Sequence, residues 1–196
     1  MRSEFDLLQA WIPEKSRVLD LGCGDGRLLD YLQKNKNIQG YGLEIDPHNI
    51  ELCVQNGINV IQQDLNLGLS NFSDASFDIV LMTQALQTVN NPKILLQDML
   101  RVGKECVLTF PNFGYWKCRA YLAMKGRMPM SKTLPHQWYN TPNIHLCTFN
   151  DFEQLCFDNN IHILNRAVVG NDNKPSWLMN IWPNFFGAVA IYRVTR

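Results

Sequence analysis

The sequence predicts an α/β fold: a doubly wound, mostly parallel seven-stranded sheet with an inserted cap segment. Three observations predict it. Short apolar runs alternate with stretches of helical periodicity over the first 110 residues. The first apolar run ends in a glycine turn, Gly22-Cys23-Gly24-Asp25-Gly26. Acidic side chains stand at the carboxyl ends of successive predicted strands, where open α/β sheets bind ligands.

Each element has a local cause. Residues 4–12 read as a short helix ending before Pro13, and Val18 to Leu21 is an apolar strand stopped by the glycines. Residues 26–36 carry Leu28, Leu29 and Leu32 on one helical face. Ile38 to Ile45 is the second strand, and Asp46-Pro47 opens a helix with proline in its first turn. Gly57 ends that helix, Asn59 to Gln63 is the third strand, and Phe77 to Met82 is a fourth, apolar enough to be buried on both faces. Residues 92–102 are a helix and Cys106 to Phe110 the fifth strand. A helix at 149–159 and strands at 161–169 and 187–194 follow, the two strands joined without a clear helix and so expected as an antiparallel hairpin at one edge. Residues 111–148 fit nothing regular. They are rich in Pro and Gly among Trp116, Tyr121, Trp138 and Tyr139, and loops of that length are usually functional. The whole chain, 1–196, is expected to form one domain with 111–148 as its cap.

Composition narrows the function. The chain has 196 residues, 46% hydrophobic and 18% charged, with eighteen Lys and Arg against eighteen Asp and Glu. That composition excludes a disordered chain and argues against a protein whose main task is gripping nucleic acid. No apolar run reaches the ~20 residues of a membrane helix, and the N-terminal stretch lacks the apolar core of a secretory signal. The six cysteines are scattered with no CxxC pair, so buried free thiols in a reducing cytoplasm are expected. No His, Cys and carboxylate cluster has metal-ligand spacing.

The glycine turn is the most informative stretch. Its spacing is GxGxG, not the GxGxxG of dinucleotide binders, and Asp20 sits just before it inside the first strand. A carboxylate there repels a pyrophosphate but suits the ammonium of an amino-acid ligand, directly or through water. Glu44, ending the second strand, suits a ribose diol, and Asp64, after the third, suits an adenine amino group. An amino acid, a ribose and an adenine together describe S-adenosylmethionine or S-adenosylhomocysteine. Gly22, Cys23, Gly24 and Gly26 of the turn, Ile45 beside Glu44, Leu65 beside Asp64, and Gln84 after the fourth strand complete the candidate cofactor set. The competing reading is a flavodoxin-like domain with a tight turn and solvated acids.

Methyl transfer often needs a base beside the acceptor. The stretch after the fourth strand, Thr83-Gln84-Ala85-Leu86-Gln87-Thr88, offers neutral amides and hydroxyls instead. His145 is the one weak catalytic candidate, and a histidine so placed is more often a hydrogen-bonded structural one. In 111–148, Trp116, Arg119, Arg127, Trp138 and Tyr139 are candidates for a protein interface, since aromatics and Arg concentrate in interface hot spots. An adenine wall, a substrate lid and a small satellite core under a long loop are the alternatives for these aromatics. Lys117, Arg119, Lys125, Arg127 and Lys132 form a local basic excess with no acid from 113 to 148.

Phe77-Asp78-Ile79-Val80 and the glycine turn resemble class I methyltransferases of Rossmann-like type. Thr109-Phe110-Pro111-Asn112-Phe113-Gly114-Tyr115-Trp116, Gly126-Arg127-Met128-Pro129 and Leu134-Pro135-His136-Gln137-Trp138-Tyr139-Asn140-Thr141-Pro142-Asn143-Ile144-His145 resemble more narrowly the methionine-biosynthesis MetW family. The resemblance runs over nearly the whole chain. It implies a methyltransferase-like fold, a role in methionine synthesis and partnership with homoserine O-acyltransferase. The expected function is therefore an S-adenosylmethionine-binding accessory protein of that enzyme, cytoplasmic, with neither membrane nor nucleic acid as partner. The alternative is a methyltransferase acting on a small molecule.

Overall fold

The structure, a computed structural model, describes residues 4–131, 133–170 and 177–196. Lys132 of the basic run lies outside these. A short helix, α1 (Glu4–Trp11), leads into strand β1 (Arg17–Leu21). Then come α2 (Arg27–Lys36), β2 (Gln39–Glu44), α3 (Pro47–Gln55), β3 (Asn59–Gln62), β4 (Phe77–Thr83), α4 (Pro92–Val102) and β5 (Gly103–Pro111). After a helix inside the long segment, α5 (Trp116–Lys125), the chain continues as α6 (Phe149–Asp158), β6 (His162–Val169), α7 (Trp177–Ile181), α8 (Pro183–Phe186) and β7 (Val189–Thr195).

The seven strands form one sheet in the order β3-β2-β1-β4-β5-β7-β6. The first five are parallel, and β7 runs antiparallel to both β5 and β6. Strand order reverses between β1 and β4, which opens a crevice at the carboxyl ends there.

Period-two alternation explains the two layers. Val18, Ile79, Leu81, Val107 and Ile191 face one side and pack with Leu8, Leu28, Leu29 and Leu32 of α1 and α2. Their neighbours Leu19, Leu21, Val80, Met82, Leu108, Phe110 and Tyr192 face the other and pack with Leu95, Leu96 and Met99 of α4 and with Phe149 and Phe152 of α6. Each of these fully buried side chains contributes about 1.5–3 kcal/mol from removal of apolar surface. Asp20 shares the face of Val18, so a carboxylate lies where the alternation calls for an apolar side chain.

Caps sharpen the helix starts that set the loops. Asp46 accepts the His48 amide at the head of α3, with Pro47 in the first turn. Thr148 and Asp151 form a reciprocal capping box at the head of α6. At the opposite end of the sheet, Asp78 accepts the Arg17 amide at 2.9 Å and the Lys104 ammonium at 2.7 Å, tying the starts of β1, β4 and β5. These donors hold the Asp78 carboxyl below its ordinary range.

Two expectations are corrected. The 111–148 segment is not wholly irregular: α5 runs ten residues and ends at Gly126, which adopts φ +58° and donates to the Leu122 carbonyl. Its apolar residues follow no single face and only Cys118 is buried, so helical periodicity is missing from the sequence. Likewise, β6 and β7 are not directly joined, because two short helices, α7 and α8, stand between them. The expected antiparallel edge is present in its pairing, with β7 rather than β6 against β5.

Candidate cofactor site

Three loops meet at the carboxyl ends of β1, β2, β3 and β4. The first is the glycine turn. Gly22, Gly24 and Gly26 all adopt positive φ, at 71°, 57° and 77°, a conformation that costs L side chains strain. The amides of Gly22 and Cys23 donate to the Leu43 carbonyl at 2.8 and 3.1 Å, which pins the turn onto the end of β2. Close approach matters too: a Cβ on Gly42 would meet the Cys23 sulfur at 2.4 Å.

That pinning sets Glu44 beside the turn. Its Oε2 accepts the Gly24 amide at 2.8 Å, while Oε1 accepts the amides of Ile45 and Asp46 at 2.8 and 3.0 Å. A carboxylate has roughly four lone-pair sites, so Oε2 retains capacity for a ligand hydroxyl.

The second loop follows β3. Asp64 Oδ1 accepts both the backbone and side-chain N–H groups of Asn66, each at 2.9 Å, and heads a 3-10 turn over Leu65–Leu67. The third loop follows β4. Gln84 stands at φ +51° with its amide donating to the Thr109 carbonyl at 2.9 Å and Oγ1 at 3.1 Å. A Cβ built on Gly22 would lie 3.3 Å from Ala85 Cβ and 3.9 Å from Leu65 Cδ1. The loops after β1, β3 and β4 therefore converge on one point.

Asp20 lies at the floor. It is 0% exposed, and among the described residues neither carboxylate oxygen has a hydrogen-bond partner. Burial, and secondarily the charge of Glu44, push its carboxyl up to about 7. Buried polar groups are almost always satisfied, and an ionised carboxylate left dry is costly. A cation or a donor-rich group brought to the turn would supply what the protein does not. Nearby, the Cys23 and Cys53 sulfurs lie 3.9 Å apart, and burial pushes both thiols up, so they are packed groups rather than nucleophiles.

Solved structures share this fold. A SAM-dependent methyltransferase structure from Mesorhizobium loti superposes with a TM-score of 0.71 at 16% identity, covering 97% of this chain and 96% of that one. A SAM-dependent, possible histamine N-methyltransferase from Thermotoga maritima gives 0.69 at 18% identity, covering 98% and 87%. Identities this low establish the class I methyltransferase fold alone. The family model for methionine biosynthesis protein MetW matches residues 2–194. The chain belongs to the MetW family. The bifunctional methionine biosynthesis protein MetXA/MetW of Rhodopirellula baltica is 38% identical over 161 residues, covering 78% of this chain. The chain spans 26% of that relative's length.

In this MetW-family chain the other candidate residues fall in three places. His145 is held by the chain after β4: its Nε2 lies 3.2 Å from the Asn90 carbonyl, and its amide donates to the Gln87 carbonyl at 3.0 Å, tying the end of the insert to that stretch. Trp138 and Arg127 line one cavity in the insert, and Tyr139 packs edge-on against Trp138. Trp116 packs on Tyr115, while Arg119 lies over the Phe185 ring at 5.7 Å, toward α8. Among the five interface candidates, Trp138 and Arg127 share a cavity, whereas Trp116 and Arg119 pack on other partners.

Sequence reasoning passed over Ala85, Gly42 and Asn112. Gly42 had a signal in the GYG run of β2. Asn112 is 2% exposed, donates to the carbonyls of Asn184 and Gly187 at 3.0 and 2.7 Å, and accepts the Gly114 amide at 2.9 Å. It clamps the start of the insert to the approach to β7. Partners 72 and 75 residues away leave no local signal.

Proposed function

We propose that this MetW-family chain binds S-adenosylmethionine or S-adenosylhomocysteine at the glycine turn and acts as an accessory partner of homoserine O-acyltransferase in methionine biosynthesis. The observation that carries the ligand half is Asp20, a buried carboxylate with neither oxygen partnered among the described residues, near the glycine turn and Glu44.

The residues fit that ligand in chemistry. Asp20 would take the ammonium, directly or through water, and its ionised form is favoured once a cation offsets the burial. Glu44 Oε2 would accept a ribose hydroxyl. Asp64, with Oδ1 occupied by Asn66, would accept an adenine N–H at its other oxygen. Ile45 and Leu65 supply apolar surface beside those acids. When bound, S-adenosylmethionine supplies a methyl group on a sulfonium. The chain's own residues after β4 offer no neutral-pH base to an acceptor, and the His145 imidazole is engaged with a backbone carbonyl. Binding without efficient transfer is the consistent outcome, which suits a protein that senses the end product of its pathway.

Support for the partner half is the Rhodopirellula relative, whose name joins MetXA to MetW in one chain and of which this chain matches only 26%. A pull-down with purified homoserine O-acyltransferase, with and without S-adenosylmethionine, tests it. A stable complex is expected, and its absence in both conditions would overturn the partnership. The solved relatives named as SAM-dependent methyltransferases favour a second reading, methyl transfer to a small molecule, and robust turnover on one metabolite would put it first.

A further inference from the structure

The insert carries a cavity of about 600 Å³ whose wall includes Tyr121, Arg127, Met128, Met130 and Trp138. Its surroundings are unusually apolar for solvent-facing structure. Met124 is 76% exposed and Trp138 75%, with Leu122, Met130 and Tyr139 also exposed. Of the ten residues of α5, only Cys118 is buried. Contiguous apolar surface around a concavity marks interaction sites.

Charge says what covers it. Residues 113–148 hold five Lys and Arg and no acid, so the rest of the chain holds thirteen against eighteen Asp and Glu. Among the described residues, no carboxylate pairs with Lys117, Lys125 or Arg127. A guanidinium in a wall shared with Met128, Met130 and Trp138 suits a carboxylate carried next to an apolar side chain.

Resting on the accessory-partner reading above, we propose that this cavity is the docking site for an acidic, apolar surface element of the acyltransferase, with an apolar side chain inserted between Met128 and Trp138 and a neighbouring Asp or Glu on Arg127. Covalent joining of the two units in the Rhodopirellula relative favours that enzyme over a second copy of this chain as occupant. The cation sets register and on-rate, and the aromatic and thioether walls supply the hold.

The test uses the full chain with purified acyltransferase. Affinity is measured at two salt concentrations for the wild type, Arg127→Glu, Trp138→Ala and a control, Lys93→Glu, which makes the same charge change on α4. Circular dichroism and S-adenosylhomocysteine binding confirm that each variant is folded. The expected result is a loss of at least ~30-fold for the first two, little change for the control, and a shallower salt dependence for Arg127→Glu. A wild-type complex that both variants form unchanged would overturn the cavity as docking site and leave the partnership standing. No wild-type complex would overturn the partnership itself, and with it this occupant. Sedimentation of the chain alone that shows self-association broken by Arg127→Glu would assign the cavity to a second copy and overturn the proposal.

Discussion

The Gly24 amide donates to Glu44 Oε2 at 2.8 Å, so the acid ending β2 is also the clamp of the turn after β1. One carboxylate serves three amides and keeps room for a hydroxyl. On the proposed reading, loop shape and ligand affinity depend on the same side chain.

Glu44→Gln should show that double dependence. Replacing one oxygen by a donor sets an N–H against backbone amides and removes a charge-assisted acceptor. Ligand affinity should fall roughly 10- to 150-fold, from ~1.5–3 kcal/mol per charge-assisted bond. Thermal denaturation should show a lowered midpoint even without ligand. Unchanged affinity in calorimetry would remove Glu44 from the site.

Asp20 predicts a pH dependence of the ligand-free protein. Its folded carboxyl is raised from 3.8 to about 7. The folded state therefore holds its proton more tightly than the unfolded chain does. The associated stability is complete below about 4 and is lost as pH rises to about 7, by an amount up to ~4 kcal/mol from linkage. Asp20→Asn should flatten that decline, so that the variant gains on the wild type between pH 5 and pH 8 in urea denaturation. Parallel curves would mean that Asp20 is solvated or partnered in solution.

Asn112→Ala should cost about 2–3 kcal/mol, because it orphans two carbonyls and an amide in a buried setting. Urea denaturation measures the loss. Limited proteolysis should show earlier cleavage within 113–148, since the clamp to Asn184 and Gly187 is gone. A variant as stable and as resistant as the wild type would show that the insert is held elsewhere.

Methyl transfer by the isolated protein should be slow or absent. The stretch Thr83–Thr88 has no group able to take a proton at neutral pH. A screen with radiolabelled cofactor and cell extract reads it directly, and rapid labelling of one metabolite would contradict it.

Local chemistry made much of this legible. The nearly unbroken apolar run of β4 signalled its burial on both faces, Asp46-Pro47 marked the head of α3, and the glycine spacing marked the turn. Asp20 stood out because an acid interrupts an apolar strand. What stayed hidden is long-range or non-periodic. Helix α5 has no single apolar face, the approach of Ala85 to Gly22 spans 63 positions of chain with no pattern linking them, and Asn112 finds its partners only when β7 folds against β5. Fold class and site acids follow from short-range rules, whereas the shape of the insert follows from contacts that only the folded sheet creates.

On the proposed reading, Asp20 completes a site for S-adenosylmethionine or S-adenosylhomocysteine. Isothermal titration calorimetry of the wild type and Asp20→Asn with both ligands at pH 8 tests it most directly. One-to-one binding to the wild type is predicted, weakened at least ~10-fold in the variant. Absence of heat and of any thermal shift with either ligand at millimolar concentration, or equal binding by the variant, would contradict it.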